Sequence, residues 1–351
     1  MTADRTTRRA FLGGALAAGP SWAWAAPAGR KIVTVAGRRV RVIDIHGHCA
    51  VPEVEPVVAG TPLAQKVAAS NVFGPARIAE MDRRGIDLQV LTVNVYWWYA
   101  ADQALAERIV AVHDQGLAGL IAAYPGRLAA LSSVALQFPE LAARQLEHAV
   151  RGLGFRGASI GGHVKGESPT SARYDPFWAK CQELDVPVFM HPDNAVSLVR
   201  DGALAGGPNL DNIVGNPLET SVFLARMIFD GVLDRFPRLK ICAAHGGGFF
   251  PSYLGRFEAA CAYRPGAVCR NSKPPSAYLK DQILVDSMVF SEEGIRHLVA
   301  EMGAGQVVYG SDLPFPWPDT IDTIANARAF TPAQKTAMLG GNLARLLKLP
   351  A

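Results

Sequence analysis

The chain contains no C-x-x-C pair, no internal repeat, no low-complexity tract and no interdomain linker, so one domain is the simplest count. Its apolar runs fall short of the ~20 residues a bilayer-spanning helix needs, which excludes a membrane span in the mature protein. Charge is sparse at 19%, with 35 basic against 31 acidic residues. No basic patch alternates with aromatics, so nucleic acid is not an expected partner. Cysteine is scarce too: Cys49, Cys181, Cys242, Cys261 and Cys269 are odd in number and mostly sit in apolar runs. Buried free thiols are the expected state.

What is present is a large core and an address. Apolar residues make up 49% of the chain, enough for a sizeable folded domain and against wholesale disorder. Thr6-Thr7-Arg8-Arg9-Ala10-Phe11-Leu12, a short apolar run and Ala23-Trp24-Ala25 follow the pattern of a twin-arginine export signal over residues 1–25. The expected location is periplasmic. That route exports proteins already folded, which suits a cofactor loaded beforehand and weakens any disulfide expectation.

Residues 26–351 read as alternating strands and helices. A hairpin over 31–36 turns at Gly37-Arg38-Arg39. Strands follow at 40–46, 88–94, 128–136, 155–160, 187–190, 239–244, 282–289 and 307–309. Helices are expected at 75–84, 104–123, 176–184 and 219–236, with two closing helices over 319–347. Strand and helix alternation with these loop lengths predicts a parallel sheet, and eight pairs predict an α/β fold of the (β/α)8 TIM-barrel type.

Metal-type ligands follow four of those strands: His46-Gly47-His48, His191, His245 and Asp312. In a (β/α)8 barrel the C-terminal strand ends converge on one mouth, where active sites of this fold lie. Two histidines at i and i+2 on a strand project to one face, so His46 and His48 can grip one cation. A His-x-His alone is weak evidence; with an aspartate ending the last strand it predicts a mononuclear metal centre. Mixed nitrogen and oxygen donors suit Zn2+, with Mn2+, Fe2+ and Co2+ left open.

The segments Ile45-His46-Gly47-His48, Gly162-His163, Met190-His191-Pro192, His245-Gly246-Gly247-Gly248 and Ser311-Asp312-Leu313-Pro314-Phe315-Pro316 resemble the amidohydrolase-superfamily branch of aminocarboxymuconate-semialdehyde decarboxylase. The resemblance spans about residues 41–347. It implies a barrel with one Zn2+ held by His46, His48, His191 and Asp312. His245 would stand beside the metal-bound water, with His245 and Asp312 as catalytic groups. It also implies that Arg256, eleven residues after His245, reaches a neighbouring subunit's pocket in a homodimer and holds a substrate carboxylate.

Two departures point to a different substrate. Residues 49–76 contain no arginine where that branch has a second carboxylate-binding one, and Asp193 stands where tryptophan is common after His-Pro. An acidic group near the mouth repels a dicarboxylate. Trp97 and Trp98 offer an aromatic wall for a conjugated substrate, or core packing. His163 is a candidate substrate contact or loop-orienting residue. Asp286 reads as a supporting carboxylate, and His113 and His148 as surface or packing residues. The expectation is a Zn2+-dependent decarboxylase, a carbon–carbon lyase acting through metal-bound hydroxide on a small unsaturated or aromatic carboxylate. A hydrolase of a lactone, ester or amide stays open, because hydroxide attack begins both reactions. A non-catalytic metal-dependent binding protein is disfavoured, since a closed structural Zn2+ site needs no adjacent base.

Overall fold

The computed structural model of the protein describes residues 29–94, 97–193, 195, 198–199, 202–204, 209–264 and 266–349. The expected export signal lies outside the described residues. Eight parallel strands supply the frame: β1 (Ile43–His48), β2 (Leu88–Thr92), β3 (Leu128–Ala130 continued by Ser132–Ser133), β4 (Ala158–Ile160), β5 (Val188–Met190), β6 (Ile241–Ala243), β7 (Ile283–Asp286) and β8 (Val307–Val308). Each pairs in parallel with the next. The Ile45 amide donates to Tyr309 O at 3.1 Å and the His48 amide to Leu313 O at 2.8 Å, so β1 meets the end of β8. That contact closes the sheet into the expected barrel.

Strand periodicity divides the apolar residues into two cores. Ile43, Ile45, Leu88, Val90, Phe189 and Cys242 point inward and fill the barrel, joined by Leu343 and Leu347 from the C-terminal end of the chain. Their strand neighbours Leu91, Ala130, Val188 and Ile241 face outward, where Leu117, Leu146 and Trp178 of the surrounding helices cover them. Both faces of a strand are buried, which is why the strands read as near-continuous apolar runs.

Local sequence explains the element ends. Helix Pro75–Arg84 falls where expected, with proline at its start and Gly85 left-handed at its close. Helix Gln103–Ala123 starts one residue early because the Asp102 side chain accepts from the Leu105 amide. The predicted helix over 219–236 begins instead at Asn216 and is interrupted after Phe229, resuming as Val232–Arg235. Pro217 favours the earlier start, and Gly231 at φ 76° makes the break. The long strand expected over 128–136 is split around Leu131, and the one over 282–289 stops at Asp286.

One cysteine expectation is corrected. Cys49, Cys181 and Cys242 are buried free thiols, but Cys261 and Cys269 form a disulfide. It ties the end of helix Leu254–Tyr263 to the loop that follows, with Cα atoms 5.9 Å apart. The loop reverses over eight residues and brings the two thiols together, a pairing that spacing alone does not reveal.

Candidate metal centre and active site

The barrel mouth gathers the residues that the sequence scattered. His46 and His48 end β1, with their Nε2 atoms 3.2 Å apart. His191 follows β5, His245 follows β6 and Asp312 follows β8. Ligand atoms of His46, His191, His245 and Asp312 all lie within 4.8 Å of one another. His48 falls outside that mutual set, yet its Nε2 is 2.7 Å from Asp312 Oδ1. Five groups therefore face one small volume, one more than a tetrahedral ion needs.

The protonation pattern shows what that volume accommodates. Asp286, at the end of β7, accepts from His46 Nδ1 at 2.8 Å, which leaves the lone pair of Nε2 facing the mouth. His191 Nδ1 donates to Pro192 O at 2.8 Å and frees its own Nε2 in the same way. Asp312 Oδ1 approaches His46 Nε2 at 2.9 Å but gains no aligned hydrogen bond there and stays buried and unpartnered. Converging lone pairs at such distances repel unless a cation lies among them. The donor set thus fits a divalent ion with mixed nitrogen and oxygen ligands.

Electrostatics agree. Burial disfavours charge on His46, but Asp312 and then Asp286 outweigh it and raise its pKa to about 10. Positive charge is thus preferred at this ring, from a proton or an ion. His245 is driven the other way, down to about 4, by burial and then by His46. His191 is held well below its ordinary range by burial and then by His48 and His46. Asp312 stays ionised: burial opposes its charge, but His46 and His48 hold its carboxyl well below the usual range.

Backbone strain aims two of these side chains. His245 has φ 57° and Asp312 φ 60°, left-handed values that cost a non-glycine residue about 1 kcal/mol or more. After His245 the chain turns so tightly that a Cβ on Gly248 would sit 2.1 Å from Pro217 O. Only glycine fits there, which accounts for the end of the His-Gly-Gly-Gly block.

Three further residues hold the site together, and none was singled out from sequence. Buried Asp44 accepts through Oδ1 from the His46 amide at 2.9 Å and the Ser311 amide at 3.0 Å. Arg77, on helix Pro75–Arg84, donates through Nη1 to His48 O, Leu313 O and Gln89 Oε1, each at 3.1 Å. Together they clasp β1 to the loop bearing Asp312. Glu219 Oε1 accepts from the Gly162 and Asp193 amides, both at 2.9 Å, and ties the loop after β4 to the loop after β5.

A cavity of about 430 Å3 opens over the histidines, within the range of small-molecule sites. Trp97, Asp193, Phe315 and Trp317 line it. Trp98 does not; it packs on His113 with ring centroids 4.1 Å apart, so His113 is a core residue. His163 ends β4 but is not among the cavity's lining residues: its Nε2 lies 3.8 Å from Glu219 Oε2 and its Nδ1 accepts from the Gly166 amide. That places it behind the wall, in the loop-orienting role. Arg256 is exposed on helix Leu254–Tyr263 and lines no part of its own chain's cavity. Among the described residues that cavity contains no lysine or arginine.

Residues 43–349 match the model of the amidohydrolase family. The chain belongs to that family. It is 34% identical over 286 residues to 2-amino-3-carboxymuconate-6-semialdehyde decarboxylase of Dictyostelium discoideum, covering 80% of this chain and 78% of that protein. Gamma-resorcylate decarboxylase of a Polaromonas species is 29% identical, covering 78% and 86%. Among solved structures, 5-carboxyvanillate decarboxylase of Novosphingobium aromaticivorans, complexed with manganese and 4-hydroxy-3-methoxy-5-nitrobenzoic acid, superposes with a TM-score of 0.79 at 25% identity over 88% of this chain and 96% of that one. This amidohydrolase is thus an enzyme in the branch that holds the decarboxylases.

Proposed function

We propose that this amidohydrolase decarboxylates a small unsaturated or aromatic carboxylate with one divalent ion at the barrel mouth. The observation that carries the reading is the convergence of His46, His191 and Asp312 lone pairs beside His245 in a concave site. His46, His48, His191 and Asp312 hold the ion, Zn2+ by donor chemistry. Mn2+ is the rival, since solved relatives are described with manganese. When bound, the ion supplies Lewis-acid stabilisation of negative charge and lowers the pKa of coordinated water.

The chain's own residues do the rest. His245, half-buried and held neutral, has a buried and unpartnered Nδ1, and its ring can accept a proton at one nitrogen and return it. Asp312 carries its negative charge into the same volume through Oδ1. Trp97 and Phe315 form flat walls that exclude water and fit a planar substrate. Asp193 in the wall disfavours a second carboxylate near it.

Arg256 supplies the substrate's anion-binding group from a second copy of the chain. Its helix is flanked by exposed apolar side chains, Phe249 at 41%, Tyr253 at 57% and Tyr263 at 83%, a surface suited to burial in a homodimer. The twin-arginine pattern carries the expectation of export to the periplasm, and the Cys261–Cys269 disulfide suits that oxidising compartment if it closes after the folded chain has crossed.

Decarboxylation is tested by incubating the purified enzyme with carboxyl-labelled 2,6-dihydroxybenzoate and collecting labelled CO2. Release that stops on chelation and returns with added Zn2+ or Mn2+ is expected. Hydrolysis of a lactone or ester panel without CO2 release from any aromatic carboxylate contradicts the reading.

A further inference from the structure

Asn94, just beyond β2, lines the cavity and is 2% exposed, yet neither atom of its carboxamide has a hydrogen-bond partner. Trp97, three residues on, lines the same cavity at 8% exposure, and its indole Nε1–H is also unpartnered. Buried polar groups in native proteins are almost always paired, so two unpaired side chains in one stretch of wall need a reason. Neither lies among the groups that hold the metal-type ligands in place.

The indole is not free to turn away. It stacks on Tyr99 with centroids 5.7 Å apart and planes 12° from parallel. Tyr99 is itself fixed, because its hydroxyl accepts from the Gly161 amide at 2.9 Å. The Asn94 amide has a soft terminal torsion and can present either end to a bound molecule.

We infer that Asn94 and Trp97 are specificity-determining residues that read an un-ionised hydroxyl on the substrate's carbon skeleton. This rests on the cavity being the substrate site. The inventory of donors and acceptors selects the group. Asn94 offers one acceptor oxygen and an NH2, and Trp97 one N–H donor. A hydroxyl both donates and accepts, so it can pair with both residues at once, donating to Asn94 Oδ1 while accepting from Trp97 Nε1–H. A second carboxylate only accepts: it can pair with the indole N–H and with the turned NH2 of Asn94, but it leaves Asn94 Oδ1 without a donor and brings a second negative charge to the wall that carries Asp193. An ammonium group only donates and leaves the indole N–H unpaired.

The test is isothermal titration calorimetry of the metal-loaded enzyme with three probes: benzoate, 2,6-dihydroxybenzoate and benzene-1,2-dicarboxylate. Wild type is expected to bind the dihydroxy probe at least about tenfold tighter than benzoate, the effect of pairing buried polar groups otherwise left unpaired. Asn94→Leu, close in shape but apolar, should bring that ratio to within about twofold and leave benzoate binding unchanged or stronger. Trp97→Phe, which keeps an aromatic wall and removes only the N–H side, should lower the ratio by several-fold and guards against a folding defect in the first variant. The inference is overturned if the ratio survives both substitutions, if the dicarboxylate binds as tightly as the dihydroxy probe, or if the dihydroxy probe does not bind. The two readings fail separately. A probe bound with the expected preference but never decarboxylated contradicts the proposed reaction alone, whereas CO2 release with no hydroxyl preference contradicts this inference alone.

Discussion

Asp286 accepts from His46 Nδ1 at 2.8 Å and turns the opposite face of that imidazole toward Asp312. The same carboxylate accepts through Oδ1 from the Gly246 amide at 2.9 Å, so it ties the orientation of His46 to the turn that carries His245. Supporting partners of this kind set metal affinity. Asp286→Asn should therefore weaken ion binding about 10- to 100-fold. Competition with a chromogenic chelator measures this, and unchanged affinity would relegate Asp286 to packing.

Glu219 should separate two of its own roles. Replacing it with leucine leaves the Gly162 and Asp193 amides buried without an acceptor, a loss of about 2 kcal/mol or more in denaturant unfolding. The Michaelis constant should rise with it, because Asp193 lines the cavity. Glu219→Gln keeps an acceptor oxygen and should restore most of both quantities. Equal damage from the two substitutions would mean that the charge, not the pair of hydrogen bonds, is what matters.

The difference between Glu219 and His46 explains how far the sequence could be read. His46, His48, His191, His245 and Asp312 were visible because each follows an apolar strand, and barrel topology brings strand ends together whatever lies between. Glu219, Asp44 and Arg77 reach across 57, 267 and 236 residues through side-chain hydrogen bonds that leave no periodic trace. Asp44 also hides inside a strand, where an apolar run masks its charge. His163 followed a strand as the ligands do, yet it turns behind the wall toward Glu219. The Cys261–Cys269 bond was hidden because a count of five cysteines cannot report which thiols a loop reversal brings together. Strand ends were legible; the side chains that brace them were not.

Asp114 gives a pH signature away from the metal. Burial pushes its carboxyl up to about 7, opposed only by the hydrogen bond from Ser132 Oγ. Its folded pKa lies above the ordinary unfolded value near 4, so the folded state holds the proton more tightly. That contribution to stability is fully present below about pH 4 and is lost as pH rises through about 7. Asp114→Asn mimics the protonated form and should remove roughly 2 to 4 kcal/mol of stability loss across that window. Denaturant titrations at pH 4 and pH 8 check it; parallel curves for variant and wild type would contradict the shift.

Arg256 tests the shared site. Arg256→Ala should raise the Michaelis constant strongly or abolish turnover, since removing one partner of a desolvated charge pair costs roughly 2 to 5 kcal/mol. Mixed with an inactive His245→Asn chain, it should recover part of the activity, because one hybrid site then combines an intact metal centre with an intact arginine. A fully active monomer, or no recovery despite proven subunit exchange, rules out donation across the dimer.

In the proposed site one divalent ion sits among His46, His48, His191 and Asp312 while His245 handles the proton. Elemental analysis of purified wild type, His46→Ala, Asp312→Ala and His245→Asn tests it most directly. About one ion per chain is expected in wild type, near-complete loss in the first two variants, and an occupied site with turnover at least about 10²-fold lower in His245→Asn. Full occupancy in His46→Ala and Asp312→Ala, or loss of the ion in His245→Asn alone, would contradict it.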